Sequence, residues 1–168
     1  MTGPRRNLVL IGMPGVGKST VGVLLAKASS RDFVDTDVWI QAREAASLPE
    51  LLARHGRAGF LDLEERQVLA LDARNAVIAT GGSVVYGERA MAKLRAEGSV
   101  VHLALPLGEL EARLGSLAAR GVVIDPGQDL GTLYRERMPL YRKWADVEIE
   151  VAGLSHEAVV ARIRELER

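Results

Sequence analysis

The chain has 168 residues, 48% of them apolar and 26% charged, the make-up of one globular domain with a core of its own. Lys and Arg together number 22 and so do Asp and Glu, so no net field recruits nucleic acid or an anionic membrane, and a small partner is expected. With no cysteine there is no disulfide, thiolate metal site or Cys nucleophile, and His55, His102 and His156 lack ligand spacing and read as ordinary surface or core residues. No apolar run approaches the ~20 residues of a membrane span, and the short run after Arg5 and Arg6 turns into glycines, unlike a signal peptide. The expectation is a cytoplasmic monomer, a single domain over residues 1–168.

The first predicted strand, 7–12, runs into "GMPGVGKS", which fits G-x-x-x-x-G-K-[ST] from Gly12 to Ser19, with a helix predicted over 18–29. Gly12, Gly15 and Gly17 let the backbone curl so that the N–H groups around Val16 and at the helix start, through Thr20, point at phosphate oxygens. Lys18 supplies a charge for the β- and γ-phosphates and Ser19 a hydroxyl for Mg²⁺, so a nucleoside triphosphate is expected here. No Asn-Lys-x-Asp guanine-reading motif follows, which points to a compact kinase using ATP.

The second strand, 32–37, ends in Asp35 and Asp37. At i and i+2 of an extended segment both would face the phosphate loop, one to hold Mg²⁺ through water and one to orient an acceptor hydroxyl and take its proton. Alternatively, Asp37 caps the next helix. Helices are predicted at 38–55 and 59–73, the second carrying Glu64, which by itself reads as a surface residue. After the third strand, 76–80, Gly81 and Gly82 offer bare backbone N–H groups to a small polar ligand, or simply make a tight turn.

A helix at 88–97 and a strand at 99–105 come next, then a helix at 107–118 carrying Arg113. The stretch 118–129, with Arg120, Gly121, Pro126 and Gly127, has the length and punctuation of an active-site lid or of a plain surface loop. Arg137 lies on a helix over 128–145, before a last strand at 147–151 and a helix at 155–167. Arginines placed after a phosphate loop suit clamping a transferring phosphate and an anionic acceptor. Five strands alternating with helices imply an α/β fold with a mostly parallel sheet, its ligands beyond the carboxyl ends of the strands.

With these pieces in order, the sequence resembles the shikimate kinase family, through "GMPGVGKST", "DTDVWI", the glycine pair, Arg113, Arg120 and "RMPLYRKWAD". The resemblance implies a three-layer P-loop kinase fold with a five-stranded parallel sheet in the order 2-3-1-4-5, a lid at about 114–130 and an acceptor-binding helical region at about 38–65. It implies phosphoryl transfer from ATP to a ring hydroxyl of shikimate. By position, Lys18 and Ser19 would hold phosphate and Mg²⁺, Asp35 would support the metal, and Asp37 would hold the acceptor hydroxyls. Gly81 and Gly82 would touch the acceptor through backbone and Arg113 would lie over the adenine. Arg120 would be the lid arginine near the transferred phosphate, and Arg137 would pair with the acceptor's carboxylate.

Two positions depart from the family pattern. Leu61 stands where a second carboxylate-binding arginine is usual, with Arg57 one helical turn earlier as a substitute or a solvated residue. Ser83 stands where the family has a third glycine. Two other readings stay open: a kinase of another small hydroxy acid or hydroxy amino acid, such as gluconate or homoserine, and a non-catalytic ATP-binding regulator.

Overall fold

The computed structural model describes residues 6–114, 122–123, 125 and 127–168. Five strands form one parallel sheet: β1 (Asn7–Ile11), β2 (Asp32–Asp35), β3 (Ala76–Ala79), β4 (Gly98–Ala104) and β5 (Val147–Glu150), in the order β2-β3-β1-β4-β5. The expected sheet order is thus observed. β1 lies at the centre, Val9 opposite Ile78 of β3 and Val100 of β4, and all five of its residues are buried. A strand covered on both faces has no solvent side, hence the apolar run from Leu8 to Ile11.

α1 (Lys18–Ser29) crosses from β1 to β2 in one direction along the sheet, and α4 (Glu88–Glu97) crosses from β3 to β4 in the other. Right-handed crossovers therefore place them on opposite faces. α7 (His156–Leu166) packs on α1, while α3 (Leu48–Leu69) packs on α4, and α5 (Leu107–Arg113) on α6 (Leu130–Trp144).

The segment after β2 departs from expectation. β2 stops at Asp35, and α2 (Thr36–Glu44) begins two residues early because the Asp35 carboxylate accepts from the backbone N–H groups of Asp37 and Val38. Asp35, not Asp37, is the cap. The helix expected over 38–55 is cut at Ala45, which has φ 49°, and restarts at Ser47, where Ser47 and Glu50 form a reciprocal capping box. α3 then absorbs the start of the helix expected at 59–73, bending at Gly56 (φ 66°). Ile40, Leu48, Leu51, Phe60 and Leu63 gather into a second apolar cluster, separate from the main core, that fixes α2 against α3.

Residues 115–121, 124 and 126 lie outside the described set, so most of the expected lid, including Arg120, does too. Val122 and Val123, inside that span, are buried, Val123 within the second cluster.

Candidate active site

The phosphate loop connects β1 to α1, and its geometry follows from its glycines. Gly17, the residue before α1, has φ 104°, a left-handed conformation that leaves the helix start with no side-chain cap and no acidic residue in its first turn. The unpaired N–H groups and the positive end of the helix dipole are thus left for an anion. Val16 is buried and anchors the turn by donating its N–H to Met13 O at 3.3 Å, while Thr20 lines the cavity beyond Ser19. Lys18 donates from Nζ to the carbonyls of Gly12 at 2.6 Å and Met13 at 2.9 Å. Burial pushes its pKa down to about 8, with Arg137 adding to the effect and Asp37 and Asp35 opposing it.

The expected metal-supporting pair meets: Ser19 Oγ donates to Asp35 Oδ2 at 2.6 Å, and Asp35 Oδ1 accepts the Asp37 N–H at 2.9 Å. Asp37 is therefore set in the first turn of α2 rather than at a strand end, and it still faces the loop across the cavity. Burial, then the neighbouring Asp35 charge, push its pKa up to about 6 against the pull of Lys18.

The glycine pair after β3 is explained by space. A Cβ on Gly81 would lie 2.7 Å from Asp37 Oδ1 and 2.8 Å from Glu64 Oε2; one on Gly82 would lie 2.8 Å from Arg137 Nη1. The expectation that Gly81 offers its N–H to a ligand is corrected, since that group donates to Thr36 Oγ1 at 3.0 Å. Tyr141 holds the other peptide by donating its hydroxyl to Gly82 O at 2.7 Å.

Arg137, on α6, is 1% exposed; Nη2 donates to Val123 O at 2.8 Å, and Nε is buried with no hydrogen-bond partner among the described residues. A buried cation with an unused donor is ready for an anion. Arg113 is placed at the far side of the loop, Nη1 donating to Gly15 O at 3.4 Å. A cavity of about 360 Å³ joins these parts, bordered by Lys18, Ser19, Asp37, Gly81, Gly82 and Arg137.

Glu64, expected at the surface, is 2% exposed and borders the same cavity. Burial, aided by Asp37, pushes its pKa up to about 7, while the Ser83 hydroxyl bond and Arg137 resist the rise. Arg57 keeps about 30% of its side chain exposed and is not among the described residues that border the cavity. It pairs through Nη2 with Glu136 at 3.1 Å and lies over the Tyr86 ring, 5.1 Å from its centroid. Leu61 is partly buried against the second apolar cluster.

The family model described as shikimate kinase matches residues 14–167. A shikimate kinase of Thermodesulfovibrio yellowstonii is 36% identical over 167 residues, covering 97% of this chain and 96% of the relative. One of Pseudomonas savastanoi pv. phaseolicola is 39% identical over 162 residues, covering 94% of each. Among solved structures, shikimate kinase from Aquifex aeolicus superposes with a TM-score of 0.83 at 32% identity, covering 96% of both chains. Shikimate kinase from Acinetobacter baumannii, solved in complex with shikimate, gives a TM-score of 0.84 at 27% identity, covering 97% of this chain and 93% of that one.

Proposed function

Because this chain belongs to the shikimate kinase family, we propose that it transfers the γ-phosphoryl group of ATP to a ring hydroxyl of shikimate, giving shikimate 3-phosphate and ADP. The observation that carries this reading is a single cavity with a phosphate loop at one end and Asp37 and the buried, underused Arg137 at the other.

The phosphates of ATP lie on the loop's N–H groups and the α1 terminus, with Lys18 at the β- and γ-phosphates and Arg113 over the adenine. Asp37 orients the acceptor hydroxyl. As the new oxygen–phosphorus bond forms and the bond to the β,γ-bridging oxygen breaks, the hydroxyl proton passes to the Asp37 carboxylate, whose raised pKa suits it to hold one. Arg137 pairs with the acceptor's carboxylate, and the backbone around Gly81 and Gly82 forms the floor. The resemblance assigns Arg120 the role of stabilising the transferred phosphate.

The Ser19 hydroxyl and the Asp35 carboxylate, already in contact, form an oxygen donor set suited to Mg²⁺, Ser19 as a ligand and Asp35 through water. Held by Ser19 and Asp35, Mg²⁺ would supply positive charge against the charge of the transferring phosphate. All these groups come from one chain, and the enzyme works as a monomer in the cytoplasm.

One observation favours a second reading. Among the described residues bordering the cavity, Arg137 is the single guanidinium, because Leu61 replaces the second arm and Arg57 is committed to Glu136. One missing charged hydrogen bond costs about 1.5–3 kcal/mol, roughly ten- to hundredfold in affinity. A smaller hydroxy acid or hydroxy amino acid, held by one arginine, loses less.

The test is ADP release by the purified chain with shikimate, homoserine and gluconate offered separately. Turnover with shikimate alone is expected, at a KM raised by the missing arm. Turnover with homoserine or gluconate and none with shikimate would replace the acceptor. Slow ATP loss independent of all three would favour a regulator.

A further inference from the structure

The acceptor end of the cavity holds a second carboxyl beside Asp37. Glu64, buried on α3, accepts at Oε1 from the Ser83 hydroxyl at 2.7 Å, the one hydrogen bond its side chain makes among the described residues. Its other oxygen, Oε2, and Asp37 Oδ1 converge on the same point above Gly81, each within 3 Å of where a Cβ would stand. Two carboxyl oxygens a few ångströms apart, in a cavity that also holds the phosphate loop, match two neighbouring hydroxyl groups rather than one.

The residues that set this up are the two that depart from the family pattern. Leu61, one turn before Glu64, brings no charge to the buried carboxyl, and Arg57 is turned to Glu136. An untethered carboxyl at this depth is costly and free to swing. Ser83 supplies the tether: it is itself buried, and its place at the start of the short 3₁₀ turn 84–86 fixes the direction of its hydroxyl.

Building on the hydroxylated acceptor proposed above, we infer that Ser83 is a positioning residue that holds Glu64 so that Oε2 pairs with the acceptor hydroxyl next to the one bound by Asp37. The pocket thereby reads a vicinal diol. The groups facing Glu64 are Asp37 from α2, Arg137 and Tyr141 from α6, and Ser83 itself. Asp37 disfavours its charge, while Arg137 and the Ser83 hydrogen bond favour it.

Steady-state kinetics of Ser83→Ala and Ser83→Thr test this with shikimate and with an analogue lacking the hydroxyl beside the reacting one. Ser83→Ala is expected to raise the KM for shikimate about tenfold, the loss of one charge-assisted contact. The KM for ATP should stay within twofold, and the KM for the analogue should hardly move. Ser83→Thr, which keeps the hydroxyl, should remain close to the unaltered protein. An unchanged KM for shikimate, an equal rise for both acceptors, or a matching rise for ATP would overturn the inference.

A carbon-13 titration of the Glu64 carboxyl in the ligand-free protein separates this inference from the acceptor assignment. Removing a donor that favours the carboxylate should move its midpoint to higher pH in Ser83→Ala. An unmoved midpoint would overturn the tether even in a protein that phosphorylates shikimate. Failure of the unaltered protein to use shikimate, with the midpoint still moved, would count against the acceptor alone.

Discussion

Lys18→Ala should lower kcat/KM by about a thousandfold or more. The reason lies in where this ammonium sits. It is 8% exposed, at the lip of a loop whose other donors are backbone amides, and it already bridges two loop carbonyls at 2.6 and 2.9 Å. Charge builds on the β,γ-bridging oxygen as the phosphoryl group leaves, and a fixed buried cation stabilises that charge far better than water does. Alanine also leaves the Gly12 and Met13 carbonyls without their donor, so circular dichroism and a melting curve must accompany the kinetics to show that the loop variant is folded. A folded Lys18→Ala protein within tenfold of normal kcat/KM would show that the loop does not carry the transferring phosphate.

Asp37→Asn should leave ATP affinity within about threefold while kcat falls by roughly 10²–10⁴, the usual contribution of a positioned general base. The substitution keeps the shape of the side chain, and it keeps the backbone N–H that Asp35 uses to start α2. The Ser19–Asp35 contact is untouched. What goes is the carboxylate beside Gly81. Direct titration of nucleotide binding and single-turnover transfer measure the two halves separately. Near-normal transfer in the variant would remove Asp37 from the chemistry.

Much of this was legible in the sequence where a local rule decides the outcome. The phosphate loop is a strand, a glycine-built turn and a helix start in a fixed order, and all five strands lie within two residues of their expected bounds. The segment after β2 is harder to read, because the turn at Ala45 uses a left-handed backbone at a residue with no glycine signal, although Ser47 and Glu50 have the spacing of a capping box. Asp35 caps the helix where Asp37 was the sequence alternative, because α2 starts at Thr36, a boundary set by one carboxylate and two N–H groups.

Glu64 is the residue whose place local pattern misses. On helical periodicity it is one charge among several on α3, and its burial comes from the way Ser83 and the glycine pair close over it from β3, far along the chain. The fate of Arg57 was equally invisible, since its partners Glu136 and Tyr86 come from two other segments. Local order can be read residue by residue. Convergence of distant segments cannot.

The most direct measurement is phosphorus-31 NMR of the purified chain with ATP, Mg²⁺ and shikimate. The expected result is a new phosphomonoester resonance growing in step with ADP, absent when shikimate is withheld. ATP left intact, or consumed with only inorganic phosphate appearing while shikimate is present, would contradict it.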